Sequence, residues 1–270
     1  MTTASRAHPE LVGPPRRSRG RIRQLHLLAA ALTDDSEFGI NHPAILTRRP
    51  TRRADPDGAP GRDAVIPAII LAAGASSRMG RPKALLPIPA ESTTFLERLV
   101  QTLRDAGADD IIVVVGYDAG AVRGLIESAG LAVRTVENQD PSRGQLSSLV
   151  AALEVADRPG VQGVLVAPVD QPLVAAETVK RLLGVYRRTP APAVRPTRGD
   201  RHGHPVILDR SLFDELRRAD LSSGAREVIR RHGSEVIDVT VDDEGAFLDI
   251  DTPEEYEGAM RKKGFGSRLR

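Results

Sequence analysis

The chain has 270 residues, 40% of them hydrophobic, with 38 Lys and Arg against 36 Asp and Glu for a formal net charge of +2. That length suits one sizeable α/β domain plus an extra segment, and no run of about 18 apolar residues reads as a membrane-spanning helix. The absence of cysteine excludes disulfides, thiolate metal sites and cysteine nucleophiles, while 3% aromatic content and near-neutral charge argue against stacking on single strands or a polyanionic partner.

Residues 1–63 stand apart. Arginines cluster at Arg16, Arg17, Arg19, Arg21 and Arg23 and again at Arg48, Arg49, Arg52 and Arg53, among Pro, Gly and Thr. Only Gln24 to Leu32 has helical character. The segment reads as a disordered, Arg-rich extension. It lacks the long apolar core of a secretory signal. Residues 64–264 form the expected folded domain, and 265–270 a tail.

From Val65 the pattern alternates strand and helix. Val65 to Leu71 reads as the first strand. Phe95, Leu96, Leu99, Val100 and Leu103 recur at helical spacing within Thr93 to Ala106. Ile111 to Val115 is a continuous β-branched run, as in a strand buried on both faces. Helix Asp118 to Ala129, strand Ala132 to Val136, helix Ser147 to Ala156, strand Gly163 to Ala167 and helix Val174 to Arg188 follow. Such repeated β-α-β units predict a mostly parallel sheet with helices on both faces. The second half is less regular. Pro190 to Arg201 reads as a loop and Pro205 to Leu208 as a short strand. Leu212 to Arg218 and Ser223 to Arg231 read as helices, and Val236 to Val241 as a strand. Pro253 to Lys262 reads as a closing helix, with Thr252 as N-cap and Glu255 completing a capping box. This half reads as an insertion on the acceptor side of a cleft.

The most informative stretch is Ala68 to Lys83, AIILAAGASSRMGRPK. An apolar strand runs into a glycine-bracketed loop carrying Arg78 and Lys83. Such a loop suits phosphates, because the glycines let N–H groups approach oxygens and the cations neutralise charge. It is neither a Walker A motif nor G-x-G-x-x-G. Further blocks are RGQLSSL at Arg143 to Leu149, PVDQP at Pro168 to Pro172, GHP at Gly203 to Pro205, and LDIDTPEEY at Leu248 to Tyr256. In an open parallel sheet, ligands bind beyond the carboxyl ends of the strands. The first loop and the PVDQP block both fall there. Six histidines show no zinc-ligand spacing.

Taken together, these blocks resemble molybdenum cofactor cytidylyltransferases, within the wider nucleotidyltransferase superfamily. The resemblance spans roughly Val65 to Lys263. It implies an α/β, Rossmann-like three-layer sandwich, its mostly parallel sheet carrying a small antiparallel insertion. It implies transfer of CMP from CTP to molybdenum-loaded molybdopterin with release of pyrophosphate. Arg78, Lys83 and Asp170 are then catalytic. Leu71, Ala72, Ala73, Gly74, Ser76, Arg78, Gly80, Lys83, Gly144, Gln145 and Ser148 bind nucleotide. Asp170 and Asp251 hold Mg²⁺ or Mn²⁺, with Asp249 as rival to Asp251. Gly203, His204 and Pro205 face the acceptor. CTP and the molybdopterin are the small-molecule partners. A molybdoenzyme client or maturation chaperone is a further one, without nucleic acid or membrane, in the cytoplasm. On the residues alone, Asp170 also suits a turn and Asp251 the start of the last helix. A guanylyl- or sugar-phosphate nucleotidyltransferase and a non-catalytic cofactor carrier are the competing readings.

Overall fold

The computed structural model describes residues 65–221 and 224–266. The Arg-rich extension at 1–63 lies outside them, as do residues 267–270 of the expected tail. The chain opens with β1 (Ala68–Leu71), a 3-10 turn at Lys83–Leu85, and a small antiparallel pair, β2 (Pro87–Ile88) and β3 (Thr93–Thr94). Then come α1 (Phe95–Asp105), β4 (Ile111–Val115), α2 (Ala119–Ser128), β5 (Arg134–Glu137), α3 (Gln145–Ala156), β6 (Gly163–Pro168) and α4 (Ala176–Arg188). The second half contributes β7 (Ala193–Arg198), β8 (Arg201–His202), β9 (Val206–Asp209), α5 (Phe213–Arg218), α6 (Gly224–Arg231), β10 (Ile237–Thr240) and α7 (Pro253–Gly266).

One sheet runs β10-β7-β9-β6-β1-β4-β5, with β8 attached to β7. β6, β1, β4 and β5 are mutually parallel, and β10 is parallel to β7. β9 alone among the long strands runs against its neighbours β6 and β7. The period-2 alternation of β1 explains the three layers. Ala68 and Ile70 face a core built with α1, α2 and α4, while Ile69 and Leu71 face one built with α3, α5 and α6. All five residues of β4 are buried. Burying each such Val or Ile side chain is worth about 1.5–3 kcal/mol over leaving it exposed.

Local chemistry sets the helix starts. Thr94 caps α1 by accepting from the Glu97 N–H, and Glu97 returns a bond to the Thr94 N–H. Thr252 and Glu255 make the expected box before α7. One expectation changes. The segment read as a loop contains β7, which lies inside the sheet between β10 and β9. Its Pro196 lacks an N–H, but β7 pairs with β9 only at Ala193 and Val194 and with β8 from Thr197 onward. Proline thus falls where the partner strand on one side changes, and its carbonyl still accepts from the Gly203 N–H at 2.9 Å. As expected, the second half supplies the antiparallel strands β8 and β9, and it continues the central sheet beyond β6.

Candidate functional site

After β1 the chain stays in the sheet long enough for the Ala72 N–H to donate to Val114 at 2.9 Å, then turns away. Ser76 takes φ 50° and Gly80 φ 74°. The Ser76 carbonyl accepts from the N–H groups of Met79 and Gly80 at 3.0 and 2.9 Å, and its hydroxyl accepts from the Lys83 N–H at 3.2 Å. Met79, 5% exposed, plugs the loop into the core. Among the described residues, the N–H groups of Gly74, Ala75, Ser76 and Ser77 donate no hydrogen bond. The loop is therefore a set of unspent donors beside the carboxyl end of β1, as an anion cradle requires.

Two carboxylates face this loop. Asp170 follows β6, whose end is pinned by the Val169 N–H donating to Leu71 at 3.1 Å. Asp251 arrives from the far end of the chain. The Ile250 N–H donates to the Asp170 carbonyl at 2.9 Å, and the Asp251 N–H donates to Glu255 at 2.8 Å. Lys83 then joins the two side chains. Its Nζ donates to Asp170 Oδ2 at 3.0 Å and also to Asp251 Oδ1, while Arg78 Nη2 lies 2.9 Å from Asp251 Oδ2. Asp249 is turned elsewhere, accepting from the buried Gln171 amide. Asp251, rather than its rival Asp249, thus shares the lysine with Asp170.

The carboxylates titrate in opposite directions although their side chains are similarly exposed, 27% and 23%. Burial at the strand end pushes Asp170 above the usual carboxylate range, outweighing Lys83, and the neighbouring Asp249 and Asp251 add to the rise. Burial also opposes ionisation of Asp251, but Lys83 and Arg78 together outweigh it and hold Asp251 low. For Lys83, burial alone would favour the neutral amine; Asp170 and Asp251 overcome it and the value is raised. The centre is a half-buried ammonium shared by two carboxylates.

The cleft around this centre measures about 290 Å³. Of the residues expected to bind nucleotide, Leu71, Ala72, Ala73, Gly74, Ser76, Arg78, Lys83, Gly144, Gln145 and Ser148 line it, together with Asp170 and Asp251. Gly80 does not; its part is the turn that closes the loop. Gly144, at φ 93°, opens α3. A residue absent from the sequence reading holds that corner. Asn138, 7% exposed, donates to the hydroxyls of Ser147 and Ser148 at 2.8 and 2.9 Å. A lone polar residue ending a strand gives no periodic signal to find it by.

A second cleft of about 390 Å³ adjoins the first and shares Leu71 and Gln145 with it. Gly203 and His204 line it; Pro205 does not. Gly203 is required by space, since a Cβ there would lie 2.0 Å from the Ala246 carbonyl. Burial holds His204 toward its neutral form, although Asp249 and Asp170 pull the other way.

Among the described residues, no cluster of three or more His, Cys, Asp or Glu is poised to chelate a metal. The donor set is two carboxylates converging on one positive charge beside an open cleft. That fits a hard divalent ion whose remaining ligands come from phosphate and water, and does not fit a closed protein cage.

A mostly parallel sheet, with a donor-rich loop and a carboxylate pair at its carboxyl edge, has the fold of a nucleotidyltransferase. The chain belongs to the MobA-like NTP transferase domain family, which matches residues 68–236. It is 32% identical over 213 residues to a molybdenum cofactor guanylyltransferase of Rhizobium meliloti (strain 1021), covering 75% of this chain and 94% of the relative. It is 33% identical over 196 residues to a nicotine blue oxidoreductase of Paenarthrobacter nicotinovorans, covering 69% and 92% respectively. The crystal structure of Rv0371c from Mycobacterium tuberculosis H37Rv in complex with manganese is 30% identical, with TM-score 0.58 over 73% of this chain and 99% of that one.

Proposed function

We propose that the protein transfers CMP from CTP to a molybdopterin-type acceptor and releases pyrophosphate. The observation that carries nucleotidyl transfer is the junction of Lys83, Asp170 and Asp251 beside the free amides of Gly74 to Ser77. The loop amides with Arg78 and Lys83 take the β- and γ-phosphates. Gly144, Gln145 and Ser148 lie against base and ribose. Gly203 and His204 face the acceptor. An acceptor phosphate oxygen attacks the α-phosphorus, the α–β bridging bond breaks, and the electron pair leaves with pyrophosphate, whose charge Arg78 and Lys83 neutralise. Asp170 and Asp251 would hold Mg²⁺ or Mn²⁺, which supplies charge neutralisation at the phosphates; manganese in the mycobacterial relative supports this. Lys83 has to leave the carboxylates for the triphosphate in that state.

CTP as the nucleotide rests on the resemblance of the loop, RGQLSSL and LDIDTPEEY blocks to cytidylyltransferases. GTP is the second reading, favoured by relatives named molybdenum cofactor guanylyltransferase. The second cleft sets an aliphatic wall of Leu146, Leu149, Val206, Leu208 and Ile229 against the polar side chains of Gln145, Arg195, His202, His204 and Arg226, which suits a flat ring with polar edges and negative charge. The absence of cysteine suits the reducing cytoplasm where such a reaction would run. Pyrophosphate release with Mo-molybdopterin and CTP, GTP, ATP or UTP in turn tests the reading. Release with CTP alone supports it, release with GTP moves the base, and silence with all four refutes the acceptor.

A further inference from the structure

The second cleft is lined by four basic side chains, Arg195, His202, His204 and Arg226, and by no carboxylate. Their charges are unequal. Arg195 donates to Asp238 at 2.6 Å and His202 lies 3.4 Å from the same carboxylate, so both are already compensated. His204 is kept toward neutral by its enclosure. Arg226 is exposed and, among the described residues, has no acidic partner.

Helix α6 sorts its arginines by face. Arg230 and Arg231 pair with Glu227 and Glu215 at 2.8 and 3.2 Å, away from the cleft. Ala225, Arg226 and Ile229 line the cleft, as neighbours three and four apart on one helix face do. Arg226 is close enough to His204 to act on its charge, so the guanidinium belongs to the His204 side of the cleft. Beside it lies an aliphatic wall, and an anionic group seated there can take a charge-assisted hydrogen bond from the guanidinium.

We infer that Arg226 is the acceptor-selecting residue of this protein: its guanidinium binds the negative charge of an anionic acceptor held in the second cleft. The inference rests on the nucleotidyl-transfer reading above and deepens it, because it assigns the acceptor's charge to one side chain.

Two measurements test it. The chain has no tryptophan, so the emission of fluorescent pterins can be followed directly. Wild-type protein should bind 6-carboxypterin, an anion, more tightly than neutral pterin. Arg226→Ala should weaken 6-carboxypterin binding about 10- to 100-fold, the usual worth of a charged hydrogen bond, and leave pterin unchanged. Arg226→Lys should restore part of the loss, and Arg230→Ala should behave as wild type. In the pyrophosphate assay, Arg226→Ala should raise KM for Mo-molybdopterin by a similar factor while KM for the nucleotide and kcat hold. Equal affinity of the wild type for both pterins, binding of neither, or an Arg226→Ala protein with unchanged affinities and KM overturns the inference. If the wild type releases no pyrophosphate with any nucleotide yet binds 6-carboxypterin through Arg226, the transfer reading fails and the role of Arg226 stands. If turnover is intact and indifferent to Arg226, the reverse holds.

Discussion

At the scale of single residues, Asp170 and Lys83 are opposed in what they cost the fold. A carboxyl whose folded pKa lies above its unfolded value weakens the fold at neutral pH, because ionisation is harder in the native state. Asp170 is such a group. Asp170→Asn should therefore keep or raise the melting temperature at pH 7 while lowering kcat by about 1,000-fold or more, as losing several kcal/mol of transition-state stabilisation requires. A destabilised variant, or one that still turns over, would contradict the assignment. Lys83 occupies the point on which both carboxylates converge. Lys83→Ala should tighten Mn²⁺ binding in the absence of nucleotide, read by the free-Mn²⁺ paramagnetic resonance signal, and raise KM for the triphosphate. Unchanged or weaker Mn²⁺ binding would separate the carboxylates from the metal.

At the scale of elements, α5 and α6 are tied by charge as well as by core packing. Glu215 on α5 meets His232, just after α6, at 2.8 Å and Arg231 at 3.2 Å. The His232 hydrogen bond, with help from Arg231, holds Glu215 below its ordinary value of 4.5 despite a small burial penalty. A depressed carboxylate contributes stability above its unfolded pKa and loses it as pH falls through the folded one. Glu215→Gln should thus lower the melting temperature at pH 7, with the gap to wild type closing as pH drops below 4.5. A gap independent of pH would mean packing alone joins the helices. The same region shows what the sequence made legible. β4 and β6 were plain because unbroken β-branched and apolar runs have few other uses, and the Thr252–Glu255 box announced α7 within a few residues. β7 was hidden because Arg195, Pro196 and Arg198 look like a loop. Only the exchange of partner strand around Pro196, a tertiary fact, makes them a strand. In the site, the loop, Asp170 and Asp251 were readable from their blocks, whereas Asn138, Gln171 and Arg226 act through contacts with no local spacing.

At the scale of the whole molecule, the turn Glu244–Phe247 stitches the two halves together. A Cβ on Gly245 would lie 2.1 Å from the Leu173 carbonyl, and one on Gly203 would strike the same turn. Backbone cannot yield there as a side-chain tip would. Gly245→Ala should cost about 1–3 kcal/mol of stability, as overpacking does, seen as a lower urea midpoint with unchanged slope. An unaltered midpoint would show that the seam is soft. The strand order carries a wider consequence. Residues 68–156 supply most of the lining of the first cleft and, through Leu71, Gln145, Leu146 and Leu149, one wall of the second, while residues 193–240 supply most of the rest of the second. Asp170, just after β6, stands between the two groups of strands. A lineage can therefore rewrite most of the second cleft within one contiguous gene segment while the loop and the wall that both clefts share are inherited unchanged.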